Sequence, residues 1–360
     1  MTVDIARIVV IGIAIAIAMG FYRRIMGPSP SGRLGSSRKA ERLGLLPESR
    51  QNTLRSAPEP ELERARAAAG RGRWEEAARL MAATREQRDW ERRSHYADAF
   101  GSHKSAVPGG LLDVWEAAAG PDDPDLAVVR ARATVSLAWH FRGGAWAKDT
   151  SREQFAGFHA TLARAPQENA RAAELNPDDP TPYVAEIWTG LGLGHSHEDM
   201  RRIWKEITVR DPHHYGAHYA ALQFWCRKWR GSEELATSFA REAAASAPPG
   251  SLLTAMPLIA WYEHRDSDAK AADFRTPDLV GMVDAVLVDV AAARPDHPNT
   301  AEVRHLLAYF LTRQGRYDAA LEQFRFVDGY IDALPWRYWT DPAAVYCGWR
   351  DRAVRGARRG

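Results

Sequence analysis

Leu307-Ala308, then Gly315-Arg316-Tyr317-Asp318-Ala319-Ala320, then Phe324, is the stretch that decides how this chain folds. Apolar residues recur here at spacings of three and four, the period of an amphipathic helix. Gly315 stands where one helix would stop and the next begin, because glycine accepts the left-handed backbone that closes a helix. Ala308 and Ala320 are small enough to let two helices cross closely, while Tyr317 and Phe324 fill the space between them. The stretch therefore predicts two helices joined by a tight turn. A second copy runs from Gly72-Arg73-Trp74-Glu75-Glu76-Ala77 to Met81.

Outward from these two copies, the chain reads helical from about residue 60, without a convincing period-2 strand. Asn176-Pro177, Asp211-Pro212 and Ala247-Pro248 punctuate it, with the prolines 35 and 36 residues apart. A hairpin of that length cannot bury its own apolar face and must stack on neighbours, as in a helical solenoid. Trp188 and Trp204 suit large packing slots ahead of Pro212, and Gly231, Ala236 and Ala243 suit small ones ahead of Pro248. With these residues the chain resembles a degenerate tetratricopeptide repeat, which implies an all-α solenoid of about five or six hairpins between residues 60 and 335. A longer resemblance covers roughly residues 70 to 265. It is carried by Leu175-Asn176-Pro177-Asp178-Asp179-Pro180-Thr181-Pro182, Arg210-Asp211-Pro212-His213-His214, Lys228-Trp229-Arg230-Gly231-Ser232-Glu233-Glu234 and Phe239-Ala240-Arg241. There the chain is similar to a bacterial family defined only as a domain of unknown function. The likeness implies a bacterial tetratricopeptide-like body and transfers no active site.

Ile8 to Tyr22 is an uncharged run of 15 residues between Arg7 and Arg23-Arg24. As a helix it spans roughly 22 Å; counted from Val3, with the flanking arginines snorkelling, it approaches the ~30 Å of a bilayer core. An uncleaved single transmembrane helix over 1–24 is the favoured reading. A cleaved signal peptide, with Ala14-Ile15-Ala16 mimicking a cleavage site, and a helix buried in the fold are the alternatives. Residues 25–59 then form a basic Pro/Gly/Ser-rich linker, 60–335 the repeat domain and 336–360 a basic tail. The end of that tail, Arg350 to Gly360, is expected to be frayed and solvated, with weak contact to lipid headgroups or nucleic-acid phosphate as the alternative. The excess of arginine after the apolar run places the large C-terminal part in the cytoplasm by the positive-inside tendency. The linker reads as a solvated spacer, with contact to anionic lipid headgroups as the sharper alternative.

The composition holds 48 Lys+Arg against 46 Asp+Glu, a net +2 that gives no support to specific nucleic-acid binding. The total conceals regions of opposite sign: residues 23–55 carry +6, residues 350–360 carry +4, and residues 56–349 carry −8. Two cysteines, Cys226 and Cys347, exclude a disulfide-dense scaffold and a four-cysteine zinc site. No phosphate loop, nucleophile elbow or His-Glu-x-x-His pair is present. Gly190, Gly192 and Gly194 have the wrong spacing for a dinucleotide loop and read as a helix end.

His214 and His218 are four residues apart and would share a helix face, with His195 and His197 about one repeat earlier and His264 one later. Structural roles outweigh a metal site for these histidines. Glu198 with Asp199, and Glu233 with Glu234, read as acidic first turns rather than as general acids, since carboxylates favour the positive end of a helix dipole. His218, Trp225, Lys228 and Trp229, and in the last clear unit His305, Tyr309 and Arg313, fall on the groove face and are the candidate partner-binding residues, although packing between helices competes for Trp225 and Trp229. The expected function is a membrane-tethered protein-binding adaptor or scaffold, without catalysis or cofactor. The alternatives are a metal-dependent enzyme centred on the histidines, and an exported binding protein with a cleaved N-terminus.

Overall fold

The computed structural model describes residues 38–143 and 150–357. Regular structure among them is helical, beside one isolated parallel bridge between Asn52 and Tyr330. No helix among the described residues is long and apolar enough to cross a membrane, and the anchor expected over 1–24 lies outside them. The described residues divide into two units. Pro58–Ser232 form unit 1, and 38–57 with 233–357 form unit 2. The first helix, α1 (Arg38–Arg42), belongs to unit 2.

Unit 1 contains α2 (Pro60–Ala69), α3 (Glu75–Gln87), α4 (Trp90–Phe100), α5 (Leu111–Ala119), α6 (Pro124–Arg142), α7 (Arg152–Leu162), α8 (Ala165–Leu175), α9 (Thr181–Leu193), α10 (His197–Arg210) and α11 (Tyr215–Trp225). Side chains start several of these helices by accepting the first free N–H groups. Asp123 accepts from Asp125 and Leu126, and Ser151 with Gln154 and Ser196 with Asp199 form reciprocal capping boxes. The Glu198–Asp199 pair is thus a helix start, and its hydrogen bonds with Ser196 hold the Asp199 carboxyl down at about 2. The long α6 is the centre of the unit, packed by α3, α4, α5, α7, α8 and α9. Leu80, Met81, Phe100, Leu112, Trp115 and Val129 fill the core beside it, and Trp74 stacks on Trp115 at 5.9 Å.

Unit 2 contains α12 (Glu233–Ala245), α13 (Met256–Arg265), α14 (Pro277–Ala292), α15 (Thr300–Gln314), α16 (Tyr317–Val327) and α17 (Pro342–Gly356). The deciding stretch forms the α15–α16 hairpin. Gly315 closes α15 with φ +79°, and Ala308, Ala320 and Phe324 are fully buried. The three Pro-marked positions fall between helices, as their spacing predicts: α8 and α9, α10 and α11, α12 and α13.

Two terminal segments differ from their expected solvated state. Residues 38–57, within the predicted linker, lie packed on unit 2: Asn52 N–H donates to the Gly329 carbonyl, Ile331 N–H to the Asn52 carbonyl, and Arg55 to Asn299. The predicted tail is also folded. Trp336, Tyr346 and Cys347 are buried, and α17 packs on α15 and α16. Arg350, fully buried, donates to the Leu46 carbonyl at 2.6 Å and pairs with Asp328 and Asp351 at 3.2 and 3.1 Å. Pairing of this kind lets a charged stretch enter a core that composition alone assigns to solvent. Neither cysteine is in a disulfide, both are buried, and burial pushes the Cys347 thiol up to about 12.

Candidate functional site

In unit 1, Arg93 is fully buried and pairs with Asp125 at 2.7 Å and with Asp179, while Met81 offers it a carbonyl at 2.9 Å. Burial opposes its charge, but Asp179 and Asp125 more than offset that, and its pKa stands above the ordinary value. Asp179 also accepts the Thr181 N–H at 2.8 Å. Asp179 therefore holds the first N–H of α9 and, through Arg93, fastens that helix to α4, a structural duty.

Beside this network lies an arrangement that sequence spacing missed. Ser94 Oγ is 2.9 Å from His214 Nε2, and Glu91 Oε1 is 3.4 Å from His214 Nδ1. Serine, histidine and carboxylate in that order are the parts of a hydrolytic triad, which requires Nδ1–H to donate to the acid and Nε2 to accept the serine proton. Here the Ala217 N–H donates to Nδ1 at 3.1 Å, so the proton resides on Nε2 and is donated to Ser94. Glu91 in turn accepts the Tyr215 N–H. His214, fully buried, is the N-cap of α11 tied to α4, and it offers Ser94 no base.

The remaining histidines do not converge on a ligand. His218 Nδ1 donates to the His214 carbonyl at 2.9 Å, and its ring meets Trp204 edge-on at 4.8 Å. Desolvation drops its pKa to about 4 and keeps it neutral. His197 Nε2 donates to the Arg230 carbonyl at 2.6 Å, and the His195 ring lies where a Cβ on Gly190 would stand. Among the described residues, no group of three or more His, Cys, Asp or Glu side chains is placed to hold a metal ion.

The candidate partner-binding residues separate into buried and accessible sets. Trp225 is covered and packs edge-on against His197 and Phe224. His305 is fully buried, accepts the Trp336 Nε1–H at 2.9 Å and is lowered to about 3 by desolvation. With His218 and Tyr309, these four are core residues rather than groove-lining ones, because each helix face that bears them is covered by another helix or turn of its own unit. Lys228 and Trp229 stay half-exposed in unit 1, where Trp229 meets Trp139 edge-on at 6.0 Å.

Arg313, half-exposed on α15, organises the accessible chemistry of unit 2. Its guanidinium lies 3.7 Å from the Phe274 ring centroid and donates to Tyr309 Oη at 3.2 Å. Tyr309 Oη–H in turn donates to Asp266 Oδ1 at 2.8 Å. Desolvation raises the Asp266 carboxyl to about 6, against the opposing pull of the Tyr309 hydrogen bond and the Arg313 charge, and its Oδ2 has no hydrogen-bond partner. The half-exposed Trp349 meets both Arg313 and Arg352 at 5.4 Å from its ring centroid, and Tyr309 lies edge-on to it at 5.3 Å. A partly wet indole beside two guanidinium groups, one of them held from behind, is a preorganised surface for a carboxylate- or aromatic-bearing segment. Trp349 and Arg352 sit in the predicted tail, so only the Arg313 half of this cluster was legible. Comparison with protein-family models, curated proteins and solved structures returns no match for this chain.

Proposed function

We propose that the chain is a membrane-tethered, non-catalytic adaptor whose degenerate tetratricopeptide-like body, on the cytoplasmic side, holds a protein or peptide partner. The observation that carries this reading is the Arg313–Trp349–Arg352 cluster. Tryptophan and arginine dominate interaction hot spots, and a guanidinium fixed by Tyr309 and Asp266 loses little freedom on binding. The apolar run Ile8–Tyr22 supports the tether, and the basic residues after it support the orientation. Capture with the full chain from membranes of its native host tests the reading. A partner should be enriched over an anchor-only control and should bind the purified chain at least tenfold more weakly after Trp349→Ala. Equal binding by that variant and the parent would dismiss it.

The Ser94–His214–Glu91 geometry favours hydrolysis as the second reading, and the tautomer of His214 weighs against it. Hydrolysis of an activated ester by the purified chain that disappears with Ser94→Ala would restore it.

A further inference from the structure

We propose that α1 and α17 together form a docking surface for an anionic phospholipid bilayer. The two helices lie at opposite ends of the chain, yet Lys39 Nζ donates to the Val354 carbonyl at 2.5 Å, across 315 residues of sequence. Ala40, Leu45, Leu321 and Val354 form a small buried cluster beneath that bond, and Ala357 packs against it. Packing thus brings Arg38, Lys39 and Arg42 onto the same helix pair as Arg352 and Arg355, all five exposed. Two basic stretches that sequence keeps apart become one.

This surface differs from an ordinary solvated charge run in three ways. Arg38, Arg42 and Arg355 form no ion pair among the described residues, whereas exposed Arg88, Arg171 and Arg202 are each held by a carboxylate. Few acidic groups adjoin it: Glu41 is the one acid of α1, Glu48 lies in a short turn packed on α17, Asp341 caps the far end of α17, and Asp351 is buried against Arg350. Leu43, directly after α1, is 42% exposed and offers an apolar side chain among the cations. Cations for phosphate and an apolar residue for the acyl boundary are what an anionic bilayer surface recognises.

The inference rests on the tethered reading for its proximity to membrane. Residues 23–37, which include Arg23, Arg24 and Arg33 and no acid, separate the apolar run from α1, a path of at most roughly 50 Å. Arg358 and Arg359 continue the charge beyond α17.

Vesicle flotation of the full chain tests it, with phosphatidylcholine alone set against phosphatidylcholine mixed with phosphatidylglycerol. Binding to the neutral vesicles reports the apolar run, so a failed tether shows there and stays distinct from a failed surface. The chain should prefer the anionic vesicles, and 0.5 M salt should erase the preference. Arg38→Gln with Arg42→Gln, and separately Arg352→Gln with Arg355→Gln, should each lower that preference more than tenfold, at about fivefold per basic residue. Arg201→Gln, an exposed charge in unit 1, should leave it unchanged. An undiminished preference in the α17 pair would overturn the joint surface, because a linker acting alone needs nothing from α17. So would loss of single-stranded RNA binding in both pairs with vesicle binding intact.

Discussion

Asp266 carries an energetic cost at neutral pH that its neighbours only partly relieve. Its carboxyl titrates near 6 instead of 3.8, so stability is full below the unfolded value and is lost as pH rises through the folded one. Asp266→Asn keeps an acceptor for Tyr309 and removes the buried charge. The variant should therefore match or exceed the parent in urea resistance at pH 7.5, and the advantage should vanish at pH 3.5, where the parent carboxyl is protonated in both states. A loss of stability at pH 7.5 would mean that the Tyr309–Asp266–Arg313 chain depends on the charge. At this scale sequence reading was least informative. It placed Tyr309 and Arg313 on one helix face, but the pairing of Asp266 with Tyr309 joins residues 43 apart and has no local signal. The burial of His218 and His305 has no local signal for a related reason: periodicity says which residues share a face and is silent on what covers it.

Helices and their boundaries were far more legible, because capping, proline placement and glycine turns act within four residues. Glycines between elements also record how closely helices approach. A Cβ on Gly192 of α9 would stand 2.3 Å from Leu162 Cδ2 and 2.7 Å from Phe158 Cζ, both side chains of α7 that are themselves buried. A Cβ on Gly231 would come to 1.8 Å from the Trp225 carbonyl oxygen, where backbone stands in the way. Gly192→Ala should lower unfolding free energy by about 1–3 kcal/mol, as overpacked cores do, and Gly231→Ala by more, since a side chain can shift further than a main chain. Denaturant midpoints of the two variants settle the ranking. Of the elements that sequence missed, α1 is five residues with Ala40 as its one apolar side chain, and α17 ends in a run of arginines that reads as solvated although its first half is apolar. Burial of Arg350 against Asp328, Asp351 and Leu46 is arranged across the chain and leaves no pattern in any one window.

Acid weakens unit 1 through His218, while in unit 2 the loss at His305 runs against the gain from Asp266 as its carboxyl protonates through about 6. His218 in unit 1 and His305 in unit 2 stay neutral down to about 4 and about 3, while their unfolded counterparts take up protons from 6.5. Each contributes stability that is complete above 6.5 and is lost as pH falls toward the folded value. The urea midpoint of unit 1 should drop across that window, and His305→Gln should remove the acid loss from unit 2 and leave the gain from Asp266. A flat profile of unit 1 between pH 7 and 4 in the parent would contradict the assignment. The discontinuity of unit 2 has a consequence for synthesis. Among the described residues, unit 1 is drawn from Pro58–Ser232 alone, and its core can form while the ribosome is still translating. Unit 2 cannot: residues 38–57 emerge early, Asn52 waits for Gly329 and Ile331, and Leu46 and Lys39 wait for Arg350 and Val354 of α17, the last described helix. A nascent chain stalled just short of α17 would therefore present one finished body and one held open. Proteolysis of arrested nascent chains would reveal this order as protection of unit 1 long before that of residues 38–57.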